Sequence, residues 1–158
     1  MNYIYPTVSE IIRDTTVIMQ MEKAWEMMLN TTLSSGSEYG FYIYYNHNTQ
    51  RLYTGNIVAQ KLTRGYQGTN SSVPVEMVSN KTECCAFFHC HMNLHYRPIS
   101  ESRQTGPSIS DIDFAASKRL PGILYDFSRE RLTGGHSKSE DHKLYTFGPE
   151  RRTDYKTS

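Results

Sequence analysis

Two histidines two residues apart, His89 and His91, are the first candidates for chemistry in this chain of 158 residues. They close its most apolar stretch, Cys84 to His91, which is short enough to be one buried strand. Alternate residues of a strand point to the same face, so both imidazoles can reach one point just beyond the strand end. This suits a borderline cation such as zinc, although two histidines that are merely hydrogen-bonded at a strand edge give the same pattern.

Ser108 and Asp111 open the next predicted helix, and their simplest role is to cap it. The Ser108 side chain would accept from first-turn amides, and Asp111 would lie where negative charge is favoured, a cap that contributes about 1 kcal/mol. Asp111 would also face the end of the preceding strand and could be a third metal ligand. Two histidines and one carboxylate leave a fourth tetrahedral position for water, as a catalytic zinc site requires. Ser110 and Asp113 have the same spacing and form the alternative register.

Glu38 begins the first predicted strand, directly before Tyr39 and Gly40. A solvated charge at a strand start is the simple interpretation. A hydrolytic metal site also needs a carboxylate that is not a ligand, to take a proton from water and pass it to the leaving amine. Glu38 is the candidate for this general acid/base.

Together these residues resemble the JAMM motif of the MPN+ (JAB-like) metalloprotease superfamily. That motif has a glutamate on the first strand, His-x-His at a strand end and Ser-x-x-Asp at a helix start. Glu38, His89-Cys90-His91 and Ser108-Ile109-Ser110-Asp111 stand in this order. The similarity covers about residues 7 to 147, and it is closest in character to the JAB-like domains of bacterial polymorphic toxins and secreted effectors.

The resemblance implies a zinc-dependent peptidase or isopeptidase. His89, His91 and Asp111 would bind Zn²⁺ together with one water. Glu38 would be the general acid/base, and Ser108 would donate a hydrogen bond to the oxyanion of the tetrahedral intermediate. The implied partners are a protein or peptide substrate and, for an effector, an immunity or adaptor protein, with neither nucleic acid nor membrane among them.

The segment between the second histidine and the helix, 92–107, is longer than is usual in this family, and Met92 stands where the family commonly has proline. A longer loop has only a small entropic cost, so the metal geometry can survive it. Beside the mouth of the site, it would restrict or select substrates.

Hydrophobic periodicity predicts the elements that position these residues. One long amphipathic helix should run from Val8 to Leu29, with Thr7 and Glu10 as its capping box. Aromatic and β-branched runs predict strands at 39–45 and 52–58, paired as a hairpin, and at 73–78, 84–91, 123–127 and 143–147. Residues 61–72 and 92–107 are predicted loops.

A second helix is predicted over 108–120. Its inward stripe would consist of Ile112, Ala115, Ala116 and Leu120. This stripe favours Asp111 over Asp113 as the ligand, because it places Asp111 at the mouth of the site.

This order of elements predicts an α/β (α+β) fold. A mixed central sheet would carry the long N-terminal helix on one side and the second helix after the His-x-His strand. The resemblance implies a JAB/MPN-like (cytidine-deaminase-like) architecture. We expect a single domain at 1–149, followed by a charged, frayed tail at 150–158.

Composition excludes few classes of protein. Seventeen Lys and Arg against sixteen Asp and Glu give a net charge of +1, with no overall reason to expect nucleic acid or an anionic membrane as partner. No apolar run is long enough to span a bilayer, and no secretory signal is visible. The odd number of cysteines, three, fits a reducing compartment. We therefore expect a cytoplasmic protein, or one exported by a route that needs no N-terminal signal peptide.

The cysteines are predicted to be buried. Cys90 would point away from the flanking histidines and pack in the core with Cys84 and Cys85, and a catalytic cysteine is the less favoured alternative. The remaining four histidines are predicted to lie at the surface: His47, His95, His136 and His142.

Three functional hypotheses follow. The first is a zinc metallohydrolase, the second is an inactive MPN-like scaffold that binds protein, and the third is a structural metal site. Scaffold members of the family usually lose a ligand or the glutamate, whereas all five positions are occupied here. This favours the enzyme.

Overall fold

The computed structural model of the chain describes residues 4–30, 37–61, 77–79, 81–91, 106–127 and 142–153. These residues form three helices, α1 (Val8–Ile11), α2 (Thr15–Leu29) and α3 (Ile109–Lys118). None of these helices is both long and apolar enough to cross a bilayer. The strands are β1 (Ser37–Asn46), β2 (Arg51–Thr54), β3 (Val58–Lys61), β4 (Met77–Ser79), β5 (Thr82–Cys90), β6 (Gly122–Phe127) and β7 (His142–Phe147). Most of both predicted loops, 62–72 and 92–105, lies outside the described residues.

All the described strands belong to one mixed sheet, as predicted. Its order is β2-β1-β5-β6-β7, with β3 pairing to β1 and β4 to β5. β5 and β6 are parallel, and the other pairs are antiparallel. Because α3 lies in the connection between the two parallel strands, it begins near the sheet edge at which β5 ends.

The predicted aromatic hairpin is present and is extended by a third strand. β1 and β2 pair in a register that includes Tyr44 opposite Tyr53. In the turn between them, the side-chain oxygen of Asn46 accepts hydrogen bonds from the amides of Asn48 and Thr49. The predicted second strand is divided, because β2 ends at Thr54 and β3 then pairs with the first half of β1.

The prediction of one continuous N-terminal helix is wrong, because the chain forms α1 and α2 in its place. Thr7 and Glu10 do make the predicted capping box of α1. The chain then breaks, and Asp14 caps α2 by accepting from the Val17 amide at 3.1 Å. Both helices bury an apolar face, so the hydrophobic periodicity continues through the break. The periodicity therefore gives no sign that the helix is interrupted.

Two apolar clusters cover opposite faces of the sheet. The larger cluster joins α1 and α2 to residues such as Phe88 and Cys90, and the smaller one joins α3 to Phe87 through Ala115. Successive strand residues face opposite sides. The face of β5 that carries His89 is therefore the face that α3 covers.

The inward face of α3 is narrower than the predicted stripe. Ala115 is buried, and Phe114 lies against Phe87 with their ring centroids 4.9 Å apart. Ile112, by contrast, is 46% exposed, and Ala116 is also exposed. The exposed residues of α3 show that only one strip of its surface is covered.

The first residues of the predicted tail, 150–153, make hydrogen bonds with other parts of the chain. The Glu150 carbonyl accepts from the Val8 amide at 2.7 Å. Arg152 Nη1 donates to the Cys84 carbonyl at 2.6 Å. These bonds tie the described C-terminal residues to α1 and β5, and residues 154–158 lie outside the description.

Candidate metal centre

The carboxyl end of β5 carries both histidines of the His-x-His pair. His89 lies opposite Gly40 of β1, and Glu38 is two residues earlier on that strand, so it shares the face of His89. His91 directly follows β5, and its backbone N–H donates to the Tyr125 carbonyl of β6 at 3.1 Å. Pairing on both sides therefore fixes the backbone that carries the two imidazoles.

Asp111 approaches both imidazoles from the first turn of α3. Its Oδ1 lies 3.2 Å from His89 Nε2, and its Oδ2 lies 3.1 Å from His91 Nε2. Asp111 Oδ2 also accepts from the Ser108 amide at 2.8 Å, and Ser108 Oγ accepts from the Asp111 amide at 3.1 Å. The helix cap predicted from the sequence thus holds the Asp111 carboxylate against the end of β5.

These three side chains form a group that could hold a metal ion. One nitrogen from each of His89 and His91 and one oxygen from Asp111 all lie within 4.8 Å of one another. The histidine side chains are only 5% and 7% exposed, and that of Asp111 is 15% exposed. Among the described residues, the buried Nδ1 of His89 has no hydrogen-bond partner. Buried polar atoms are nearly always satisfied, so this atom marks a place where the protein alone does not complete the polar contacts.

Asp126 is a further acidic residue of the centre that the sequence reasoning missed. It is fully buried on β6, and its Oδ2 lies 3.0 Å from His91 Nδ1. The same oxygen accepts from the Gly106 amide at 2.9 Å, and Oδ1 accepts from the Phe127 amide at 2.8 Å. The sequence did contain a signal for Asp126, because it is a single carboxylate inside the apolar run Ile123 to Phe127. A charged residue in a buried strand normally has a partner.

Glu38 is buried, with 8% of its surface exposed, and is not the solvated charge of the simple interpretation. Its position on the histidine face is reflected in its electrostatic effect, because its charge helps to raise the pKa of His91. A carboxylate that is buried beside the ligand group and does not belong to it matches the requirement for a proton carrier.

The charges of the centre favour a cation. Burial alone would lower the pKa of His91, but its hydrogen bonds with Asp111 and Asp126 and the charges of Glu38 and Asp111 raise that pKa to about 9. Burial alone would raise the pKa of Asp111, but the charges and hydrogen bonds of His89 and His91 hold it well below its usual range. Three acidic side chains therefore surround two imidazoles, an arrangement that attracts positive charge.

The two Ser-x-x-Asp registers differ in their surroundings. Asp111 contacts both histidines, whereas Asp113 and Ser110 are exposed. Ser108 is exposed too, and its hydroxyl oxygen serves the cap. A hydroxyl has one proton to donate in addition to its lone pairs, so the cap leaves that proton available.

The cysteines are buried, as predicted. Cys90 is fully buried on the opposite face of β5, where its Sγ lies 3.5 Å from the Tyr39 carbonyl oxygen. Burial raises the pKa of the Cys90 thiol, so the thiol stays protonated. A protonated thiol is a poor nucleophile. The geometry thus argues against the alternative of a catalytic cysteine.

Two of the four histidines predicted at the surface are described, and neither lies fully in solvent. His47 has a side chain only 6% exposed, 3.6 Å from Glu83 and packed edge-on against Tyr5. The His142 side chain is 25% exposed and lies 3.0 Å from Glu22. Neither belongs to the group of side chains that could hold a metal ion, and His95 and His136 lie outside the described residues.

Comparison of the chain with protein-family models, curated proteins and solved structures finds no match.

Proposed function

We propose that the chain is a zinc-dependent peptidase or isopeptidase of JAB/MPN-like architecture, acting as a bacterial effector or toxin domain. The observation that carries this proposal is the convergence of His89, His91 and Asp111 beside the buried carboxylate of Glu38. The motif order in the sequence supports the same assignment. A helix on each face of a mixed sheet is compatible with that architecture.

Zinc is the metal that this donor set favours. Imidazole nitrogen and carboxylate oxygen are both common ligands of zinc, and catalytic zinc sites use three protein ligands with an open fourth position. Zinc bound by His89, His91 and Asp111 would act as a Lewis acid toward a carbonyl oxygen and lower the pKa of a water. The partly exposed Asp111 places the opening of the group toward the start of α3.

The remaining residues have separate roles in the proposed hydrolysis. Glu38 takes a proton from the attacking water and delivers it to the leaving amine, so that one carboxylate serves as base and then as acid. The Ser108 hydroxyl donates to the oxyanion that forms at the substrate carbonyl. Ser108 performs this role while its oxygen still accepts from the Asp111 amide.

A metal-binding scaffold without turnover is the second candidate. Ile109 is 79% exposed and Ile112 is 46% exposed, and both flank Asp111 on α3. An apolar surface next to the site suits contact with a protein, whether that protein is cleaved or only bound. The two candidates therefore differ in hydrolysis and not in metal binding.

The test combines metal analysis with a cleavage assay. Protein purified without chelators is expected to contain about one zinc per chain. It is expected to cleave one member of a panel of synthetic peptides and isopeptide-linked ubiquitin dimers, with new amine termini identified by mass spectrometry. Loss of cleavage with chelator and recovery with added zinc would support the enzyme. Zinc binding without cleavage would favour the scaffold, and absence of any bound metal would contradict both.

The apparent affinity for zinc should increase as the pH rises toward about 9. Below that value His91 carries a proton on each ring nitrogen, and Nε2 must lose its proton before it can bind metal. Each displaced proton gives an increase of about tenfold per pH unit. Competition titrations with a chelator of known pH dependence, from about pH 6.5 to 9, would measure the slope.

His142→Gln provides the control for this pH dependence. It removes an imidazole that pairs with Glu22 and lies outside the ligand group, so the slope should not change. An affinity that is independent of pH in the wild-type protein would show that zinc displaces no proton from His91.

A further inference from the structure

We infer that Asp126 is a positioning residue that sets the orientation of His91 and joins the two ligand-bearing elements of the centre. This inference rests on the proposed zinc site and adds a residue that the motif does not include. Its basis is the position of Asp126 Oδ2, which lies 3.0 Å from His91 Nδ1 and 2.9 Å from the Gly106 amide nitrogen.

The first contact fixes the His91 ring. With Nδ1–H donating to Asp126, Nε2 faces Asp111 and is the nitrogen available to a metal. Carboxylates in this position behind a ligating histidine select its tautomer and increase its basicity. His89 lacks such support among the described residues, because its Nδ1 has no hydrogen-bond partner. The two histidine ligands are therefore held unequally, and His91 is the one whose orientation is set in advance.

The second contact extends the effect of Asp126 to α3. Gly106 lies two residues before the Ser108 cap, and its φ of +105° is a conformation that suits glycine. By accepting from the Gly106 amide, Asp126 holds the chain just before the helix that carries Asp111. The same oxygen thus links the end of β5 to the start of α3, and the spacing between the ligands depends on it.

Asp126 places an ionisable group in a fully buried position, which is costly unless a contact favours the charged form. The backbone amides of Gly106 and Phe127 need acceptor oxygens but do not need a negative charge. The ring nitrogen of His91 is the contact for which a carboxylate has a specific advantage.

Asp126→Asn is the variant that tests this role. Asparagine has one acceptor oxygen, so it cannot reproduce both carboxylate oxygens. If its oxygen takes the place of Oδ2, its NH₂ group faces the Phe127 amide. If the side-chain amide is turned the other way, its NH₂ group donates to His91 Nδ1. The ring proton then stays on Nε2, which is the wrong tautomer for metal binding. We expect zinc affinity to fall by about 10- to 100-fold, measured by chelator competition.

Glu83→Gln is the matched control, because Glu83 is also a buried acid of the same sheet. It lies at the opposite end of β5, where Tyr5 donates to it and Arg152 lies 3.8 Å away. This variant should lower the unfolding temperature and leave zinc affinity unchanged. A loss of affinity confined to Asp126→Asn then separates positioning from a general loss of stability.

A measurement on the wild-type protein keeps the inference testable even if Asp126→Asn fails to fold. In zinc-loaded protein with isotope-labelled imidazole nitrogens, His91 should bind metal through Nε2 and show a slowly exchanging proton on Nδ1. Binding through Nδ1, or unchanged zinc affinity in Asp126→Asn, would overturn the inference while leaving the zinc site intact. Failure of the wild-type protein to bind zinc would overturn the site and this inference together.

Discussion

Replacing Glu38 with glutamine is expected to reduce hydrolysis by about 100- to 10,000-fold while zinc remains bound. The side chain keeps its size and its buried place on the histidine face of β1, but it can no longer accept and return a proton. At saturating zinc the three ligands are unchanged, so the loss should appear in kcat. Steady-state kinetics on the cleaved peptide, together with metal analysis of the same preparation, would measure both effects.

The control for this prediction is again a buried Glu-to-Gln change in the same sheet. Glu83→Gln removes one carboxylate at the far end of β5, and its hydrolysis should match that of the wild-type protein wherever both are folded. Unchanged turnover in Glu38→Gln would remove Glu38 from the mechanism. Loss of zinc from that variant would instead assign Glu38 to the metal ligands.

The parts of the fold that sequence predicts well are those whose pattern is local. β5 is buried at all nine positions, and its continuous apolar run has few other interpretations. The hairpin of β1 and β2 has aromatic strands around a turn that Asn46 stabilises. In both cases the signal and the structure lie within a few consecutive residues.

The errors arise where packing decides between similar local patterns. The break between α1 and α2 changes no apolar spacing, and only the Asp14 cap marks it. The sequence around His47 suggests an exposed turn. The side chain is nevertheless buried, because Tyr5 and Glu83, which are distant in sequence, pack against it. Ile112 satisfies a helical period but is 46% exposed, outside the buried strip of α3 that contains Ala115.

The candidate centre shows the same division between local and tertiary information. Sequence spacing alone predicts the helix cap that holds Asp111, and it also predicts that His89 and His91 share one face of a strand. The role of Asp126 depends on β6 lying parallel to β5 with Tyr125 beside Cys90, and this neighbour relation is not written in any local pattern. A sequence motif therefore indicates the candidate ligands more readily than the residues that position them.

Removing either candidate ligand, His89 or His91, is expected to abolish stoichiometric zinc binding, but the two metal-free variants should differ in stability. His89→Ala and His91→Ala each leave two protein ligands, too few for a zinc site of this kind. The double variant His89→Ala/His91→Ala should likewise bind no zinc. Metal analysis and chelator competition would measure the loss, and His142→Ala, outside the group, should keep full binding.

The expected difference in stability follows from the contact that each imidazole makes through its Nδ1 atom. The two side chains are almost equally buried, 5% and 7% exposed, so the cavities left by alanine should have similar costs. His91→Ala also removes the imidazole that faces the fully buried Asp126, which keeps its two backbone amide donors but loses one hydrogen bond to its carboxylate, and such a bond to a charged group contributes about 1.5–3 kcal/mol. Chemical unfolding of the metal-free proteins should therefore show His91→Ala to be less stable than His89→Ala by about that amount.

A double-mutant cycle can attribute this difference to Asp126. If the contact between His91 and Asp126 is the cause, Asp126→Asn should lower the free energy of unfolding less in the His91→Ala background than in the His89→Ala background. Equal stabilities of the two single variants would mean that Asp126 does not depend on His91 for its stability in the core. Since His91→Ala would combine loss of metal with loss of stability, His89→Ala is the cleaner variant for separating zinc binding from folding.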